Sequence, residues 1–342
     1  MTLPGRHWKW RMFGAAPALA QRFRQRGTRP DLILATDMLD LAGFLGHTRN
    51  LLRDVPVALY FHENQLTYPW SSKDADVKAG RERQYAYLNF TSALAADQVF
   101  FNSDYHRNDF IEALPAFLRA FPDHQGLAQV APIARKSQTL YLGMPLRALK
   151  GPPQQRQGPP ALLWNHRWEY DKAPAAFFRF LFRLKAEGVP FRAIVLGESY
   201  QKAPPVFAEA RAQLGGQLLH WGYARDREAY ARLLRQADLL PVTSRQDFFG
   251  GSAVEAIYAG CYPLLPNRLA FPEHLPDDLK AQHLYSTEEE CYAKIKTVIG
   301  RISWARAQQR TADFVARYDW SNLAEHYDIA MERLYRRFRQ PP

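Results

Sequence analysis

The sequence predicts an α/β protein made of two halves, each a parallel sheet wrapped by helices, with a ligand cleft between them. Three observations carry this expectation. Short runs of consecutive apolar residues alternate with amphipathic stretches along the chain. A Pro/Gly-rich break lacking large apolar residues divides the chain near its middle. Polar and charged side chains cluster directly after several apolar runs, where open parallel sheets bind their ligands.

In the first half, Leu32–Ala35, Val57–Phe61, Val99–Phe101 and Thr139–Leu142 read as strands. In the second, Ala161–Trp164, Arg192–Leu196, Leu218–Trp221, Leu239–Val242 and Tyr262–Leu265 do so. Near-continuous apolar strands imply sheets buried on both faces, the mark of parallel pairing. Amphipathic stretches such as 175–187 and 227–236 supply the covering helices. The break Lys150–Pro160 holds four prolines and two glycines and reads as a linker. The expected organisation is residues 1–148, a linker at 149–160, residues 161–320, and a terminal helical stretch 321–342 that crosses back to the first half.

Composition narrows the function classes. At 342 residues the chain is long enough for two domains. No apolar run approaches the roughly 20 residues of a membrane span. Arg6, Lys9 and Arg11 stand among tryptophans without an apolar segment, so the N-terminal stretch does not read as a secretory signal. Cys261 and Cys291 are the only cysteines, which argues against a disulfide framework or a cysteine zinc site and fits the cytoplasm. The net charge of +11 suits a polyanionic partner. Arginines crowd two segments, Arg22, Arg24, Arg26 and Arg29, and then Arg333, Arg336, Arg337 and Arg339.

The chemistry concentrates in four places. Arg167 and Lys172 follow the run 161–164; a guanidinium fork and a compact ammonium together suit a leaving diphosphate. The alternative is simple pairing with their neighbours Glu169 and Asp171. Asp247 and Glu255, eight residues apart, frame Phe249, Gly250, Gly251 and Ser252, where a turn opens a helix. Its free N–H groups suit phosphate, while the two carboxylates suit sugar and ribose hydroxyls. In the first half His62, Glu63, Asn64 and Gln65 leave the run 57–61, and Asn102 leaves the run 99–101. These read as a reaction-centre histidine with acceptor-side polar groups, or as a loop tied by its own side chains. Asp74-Ala75-Asp76 resembles a metal-binding Asp-x-Asp but sits in a polar loop, so no metal is expected. Trp8, Trp10, Trp164, Trp168 and Trp221 are expected in the core or the cleft wall.

The second half resembles the retaining, two-Rossmann-domain GT-B glycosyltransferases of the glycogen-synthase-like superfamily. Its Arg-x4-Lys and acidic-x7-Glu spacings are met by Arg167 with Lys172 and by Asp247 with Glu255. The first acidic position, usually Glu, is here the shorter Asp247. Over about residues 3–285 the chain further resembles the tRNA-queuosine alpha-mannosyltransferase family. That resemblance rests on His62-Glu-Asn-Gln-Leu-x-Tyr-Pro69, Phe101-Asn-Ser, Pro122-Asp-His, Trp164–Lys172, Val195-Leu-Gly-Glu, His220-Trp-Gly-Tyr, Asp247-Phe-Phe-Gly and Gly260-Cys-Tyr-Pro-Leu. It implies mannose transfer from GDP-mannose to queuosine in tRNA, with retention through same-face attack assisted by the departing phosphate. It also implies a strand and a small-residue, His-containing loop ahead of Thr2-Leu3-Pro4, so the first sheet is expected to be one strand short. Two rival readings are a lipid or polysaccharide acceptor, and a tRNA- or nucleotide-binding protein without transfer.

Overall fold

The computed structural model describes residues 1–71, 74–152, 156–198 and 203–339. Its chain separates into two compact units, residues 1–142 with 324–342, and residues 143–323. Of the expected linker, residues 153–155 lie outside the described residues, as do residues 340–342 of the terminal stretch. Arg156 closes that break onto the second unit, donating to the carbonyls of Arg235 and Gly260 at 2.8 and 2.9 Å.

The first unit holds β1 (Ile33–Thr36), β2 (Val57–Phe61), β3 (Gln98–Phe101) and β4 (Ser137–Thr139), all parallel and adjacent in chain order. One face is covered by the helices Trp8–Arg26, Leu41–Leu52, Glu82–Ala95 and Asp104–Arg119, whose apolar stripes meet Leu59, Phe61, Val99 and Phe101. The other face, Ala58, Tyr60 and Phe100 with Leu140, is covered by Leu334 and its neighbours on the helix Trp320–Arg339. The fourth strand begins at Ser137, two residues before the expected start, because its pairing residues are polar.

The second unit holds β5 (Ala161–Asn165), β6 (Arg192–Leu196), β7 (Leu218–Gly222), β8 (Leu239–Pro241), β9 (Tyr262–Pro266) and β10 (Leu284–Tyr285). All are parallel, in the order β10-β9-β8-β5-β6-β7. The direction of winding reverses between β5 and β8. Connections from those two strands run to opposite faces, so a crevice opens at their C-terminal ends. At their N-terminal ends the buried Asp238 accepts from the Ala161 amide at 2.8 Å and from Arg306 at 2.9 and 3.1 Å. An aromatic core of Trp164, Phe177, Phe178, Phe180 and Phe207 fills one side of the sheet.

Trp164 is buried, and Trp168 and Trp221 pack against that core. Trp8 and Trp10 depart from expectation: they are 41% and 66% exposed. Their helix buries Met12, Ala15, Ala16 and Ala20, which places Trp10 on the opposite side. Among the described residues no helix is long and apolar enough to cross a membrane.

Removing the Asp238 carboxylate strips Arg306 of its counter-charge and the Ala161 amide of its acceptor. Asp238→Ala is expected to lower the unfolding free energy by about 3–5 kcal/mol, the usual cost of breaking a buried pair from one side. Asp238→Asn, which keeps an acceptor, should lose less. Urea unfolding checks both.

Candidate nucleotide-sugar site

A cavity of about 530 Å³ lies in the second unit at the winding reversal. Arg167, Lys172, Asp247, Gly251, Ser252 and Glu255 all line it. Sequence segments some 80 residues apart are thus brought to one place because β5 and β8 are neighbours in the sheet.

Lys172 sits on a short turn, Tyr170–Lys172, and its side chain is only 9% exposed. Its ammonium lies 3.1 Å from both Asp171 and Asp247, and it donates to the Gln246 carbonyl at 2.5 Å. The turn is stitched to the loop after β8 twice more. The Thr243 hydroxyl donates to the Lys172 carbonyl at 2.9 Å, and the Arg245 amide to the Asp171 carbonyl at 2.8 Å. Arg167 is 51% exposed and lies 3.3 Å from Glu169. The neighbour pairing that rivalled the diphosphate clamp is therefore present, yet both cations still line the cavity.

Gly250 opens the helix Gly251–Tyr258 in the left-handed region, φ 83°. A Cβ there would come within 2.9 Å of the Phe271 ring, so the turn requires glycine. Phe249 and Gly250 are not among the cavity-lining residues. The Phe249 ring is buried against His274 and Tyr318, so its side chain serves packing while its backbone belongs to the turn. Its carbonyl accepts from His274 Nε2 at 2.5 Å, which fixes the loop from behind.

Glu255 accepts from Arg227 at 2.7 Å and from the Tyr230 hydroxyl at 2.6 Å. Asn165 donates to both Tyr230 and the Ser252 carbonyl at 2.9 Å. Asp247 Oδ2 and His166 Nε2 are buried without a hydrogen-bond partner among the described residues. A buried carboxylate oxygen in that condition is costly, and ligand hydroxyls would satisfy it. His166 Nδ1 faces the Ser252 hydroxyl at 3.1 Å. Burial, outweighing the attraction of Asp247, holds the His166 pKa down at about 4, so the ring is neutral. Asn165, His166, Gly197, Tyr223, Arg225, Arg227 and Tyr230 were not singled out as site residues, although all line the cavity. They follow or end β5, β6 and β7 or open the next helix, so the strand-end rule could have found them. Gly197 has φ 99°, and a Cβ on it would lie 2.3 Å from the His166 carbonyl.

In the first unit, by itself, His62 directly follows β2 and has a half-exposed ring. The Asp37 carboxylate accepts from its backbone amide at 2.9 Å and faces Nδ1 at 3.2 Å. A carboxylate only accepts, so Nδ1 carries a proton. Asn102 donates to the His62 carbonyl at 2.8 Å and accepts from His106 at 2.8 Å. Asn102 thus holds the His62 backbone in place. Asn64 likewise closes its own turn, accepting from the amides of Leu66 and Thr67 at 2.9 Å. Gln65 is buried and donates to Glu63 at 3.0 Å. Asp37 was not foreseen, since nothing in sequence joins it to His62.

Asp74 and Asp76 hold Lys9 between them at 2.5 and 2.7 Å, and Asp76 also meets Arg81 at 3.0 Å. Among the described residues no group of three His, Cys, Asp or Glu is placed to hold a metal ion.

Burial holds His274, like His166, down at about 4, against the pull of its bond to Phe249. The folded protein keeps these rings neutral, while the unfolded chain takes up protons below about 6.5. Stability should therefore fall as pH drops from 6.5 towards 4, by up to about 1.4 kcal/mol per pH unit for each ring. His274→Gln should flatten that slope, as measured by urea midpoints across the window.

The family description "tRNA-queuosine alpha-mannosyltransferase N-terminal" matches residues 1–144. The tRNA-queuosine alpha-mannosyltransferase of Drosophila melanogaster is 34% identical over 304 residues, covering 86% of this chain and 77% of the relative. GDP-mannose:cellobiosyl-diphosphopolyprenol alpha-mannosyltransferase of Xanthomonas campestris is 26% identical over 48% of this chain and 45% of the relative. Among solved structures, sucrose-phosphate synthase of Thermosynechococcus elongatus superposes with a TM-score of 0.69 over 98% of this chain and 81% of that one, at 16% identity. HepE of Anabaena, solved with UDP, gives 0.68 over 92% and 82%, also at 16% identity. These likenesses establish the GT-B glycosyltransferase fold, with its two Rossmann-like domains. At 34% identity over most of both sequences, this chain belongs to the tRNA-queuosine alpha-mannosyltransferase family.

Proposed function

We propose that this protein transfers mannose from GDP-mannose to queuosine in tRNA, with retention at the sugar carbon. The observation that carries the reading is the single cavity wall on which two cations and two carboxylates converge, in a chain of this family. The C1–O bond to the β-phosphate breaks and a C1–O bond to a queuosine hydroxyl forms on the same face. The hydroxyl proton goes to the departing phosphate. Arg167, Lys172 and the amides opening the helix Gly251–Tyr258 meet the charge that grows on the diphosphate. Glu255, held by Arg227 and Tyr230, accepts from the ribose hydroxyls, and Asp247 Oδ2 and His166 Nε2 face the sugar. His62, its ring set by Asp37, serves the reaction centre, with Glu63 and Gln65 on the acceptor side. A tRNA substrate is consistent with a reaction in the cytoplasm.

The two cations make different tests. Arg167 is half-exposed, so Arg167→Ala should lower kcat/KM for mannose transfer by about 10²-fold with the melting temperature unchanged. Lys172 neutralises two carboxylates, so Lys172→Ala should lose both activity and stability. Radiolabelled GDP-mannose with queuosine-containing tRNA reads the transfer. Queuosine-free tRNA and a lipid acceptor should give none, and turnover of a lipid acceptor alone would reassign the acceptor. Turnover should survive a chelator, and loss restored by magnesium would bring Asp74 and Asp76 back into consideration.

A further inference from the structure

A second cavity in the second unit, of about 420 Å³, shares no lining residue with the nucleotide-sugar cavity. Lys150, Arg156, Arg235 and Arg306 line it, and among the described residues no aspartate or glutamate does. Two of these cations face the buried Asp238, Arg306 at 2.9 Å and Arg156 at 3.8 Å. Asp238 stands at the N-terminal ends of β5 and β8, whereas the ligand crevice of a parallel sheet opens at the C-terminal ends. The sheet topology that explains the first cavity therefore does not explain this one.

Helix capping accounts for part of the charge. Arg156 donates to the carbonyls of Arg235, Gly260 and Ala259 at 2.8, 2.9 and 3.3 Å, so it meets the C-terminal ends of the helices Arg227–Gln236 and Gly251–Tyr258. These two ends, each worth about −0.5 of a charge, and Asp238 together offset about two of the four cations. Arg235 and Lys150 remain. Arg235 donates to the Leu149 carbonyl at 2.7 Å, and its Nε is buried without a hydrogen-bond partner among the described residues. A buried N–H in that condition is costly, and an oxyanion would offset the cost. The Lys150 ammonium lies 5.7 Å from the centre of the Tyr258 ring and has no carboxylate partner among the described residues.

Glycine gives two of the guanidinium groups their room. A Cβ on Gly151 would lie 2.6 Å from Arg235 Cζ, and one on Gly260 would lie 3.1 Å from Arg156 Nη2. The side chains of Arg156 and Arg306 are only 14% and 20% exposed, while Lys150 is open to solvent. A small free anion reaches recessed guanidinium groups more readily than a phosphate flanked by its sugars in a nucleic-acid chain.

We propose that this cavity binds a small phosphate anion, either inorganic or the phosphate group of a metabolite. Arg235 supplies a planar fork for its oxygens, and Lys150 a point charge at the open side.

Titration calorimetry of the full chain with inorganic phosphate and with inorganic diphosphate tests this. Saturable binding is expected for both, tighter for diphosphate. Lys150→Gln removes an exposed charge and should weaken binding about twofold to fivefold with the fold intact. Lys150→Gln with Arg235→Lys should weaken it about tenfold or more. Gly151→Ala keeps every charge but presses on Arg235, and it should weaken binding too. Arg167→Ala, in the other cavity, should leave this binding in place. Glycerol 3-phosphate that displaces phosphate would assign the site to metabolite phosphates, and failure to displace it would assign the site to the inorganic ions. Unchanged affinity in Lys150→Gln and in the double variant, or loss confined to Arg167→Ala, would overturn the site. Binding of tRNA that Lys150→Gln weakens, with neither small anion bound, would overturn it in favour of a nucleic-acid contact.

Discussion

The second unit depends on one ammonium group. Lys172 lies between Asp171, on its own turn, and Asp247, on the loop after β8, and it also meets the Gln246 carbonyl. These partners belong to the two strands that flank the reversal of winding. Without the cation, two carboxylates would share a nearly closed space, and the loops would have reason to separate. With it, they are held together, and one oxygen of Asp247 is left over. In the proposed site the same two side chains would therefore form a structural ion pair and offer binding groups. Arriving diphosphate and sugar would enter an arrangement already assembled, so little ordering remains to be done on binding.

Behind this lies a second layer that holds the backbone in place. His274 fixes the Phe249 carbonyl, Phe271 leaves no space for a Cβ at Gly250, and Asn165 ties Tyr230 to the Ser252 carbonyl. Each is buried or close to it, and each acts on the backbone that opens the helix Gly251–Tyr258. His62 in the first unit is supported in the same manner. Asp37 and Asn102 hold its amide and its carbonyl, and Asp37 also faces its Nδ1.

What could be read from sequence follows from which contacts are local. Val57–Phe61 and Arg192–Leu196 are central parallel strands, buried on both faces, and their apolar runs mark them residue for residue. Ser137–Thr139 is an edge strand with polar residues, so the apolar run beside it drew the boundary two residues late. Leu284–Tyr285 is too short to show any period. Arg167, Lys172, Asp247 and Glu255 were legible because their spacing is fixed within single loops. Asp37, Tyr230 and Arg227 were not, since their partners lie 25–28 residues away in the chain and only the sheet order brings them together. The tryptophans misled for a related reason. Composition gives an indole as core, but the helix Trp8–Arg26 buries Met12, Ala15, Ala16 and Ala20, and Trp10 lies on its other side.

The helix Trp320–Arg339 has a consequence for biosynthesis. Tyr60, Phe100 and Leu140 find their cover in Leu334, Tyr327 and Met331, almost 200 residues downstream of Leu140. A ribosome that has finished β4 has made a sheet with one greasy side still bare, and it must translate the whole second unit before that side can close. Nascent chains therefore carry an unfinished hydrophobic face through most of elongation, a natural landing place for a chaperone. A premature stop a few dozen codons early would leave that face open for good.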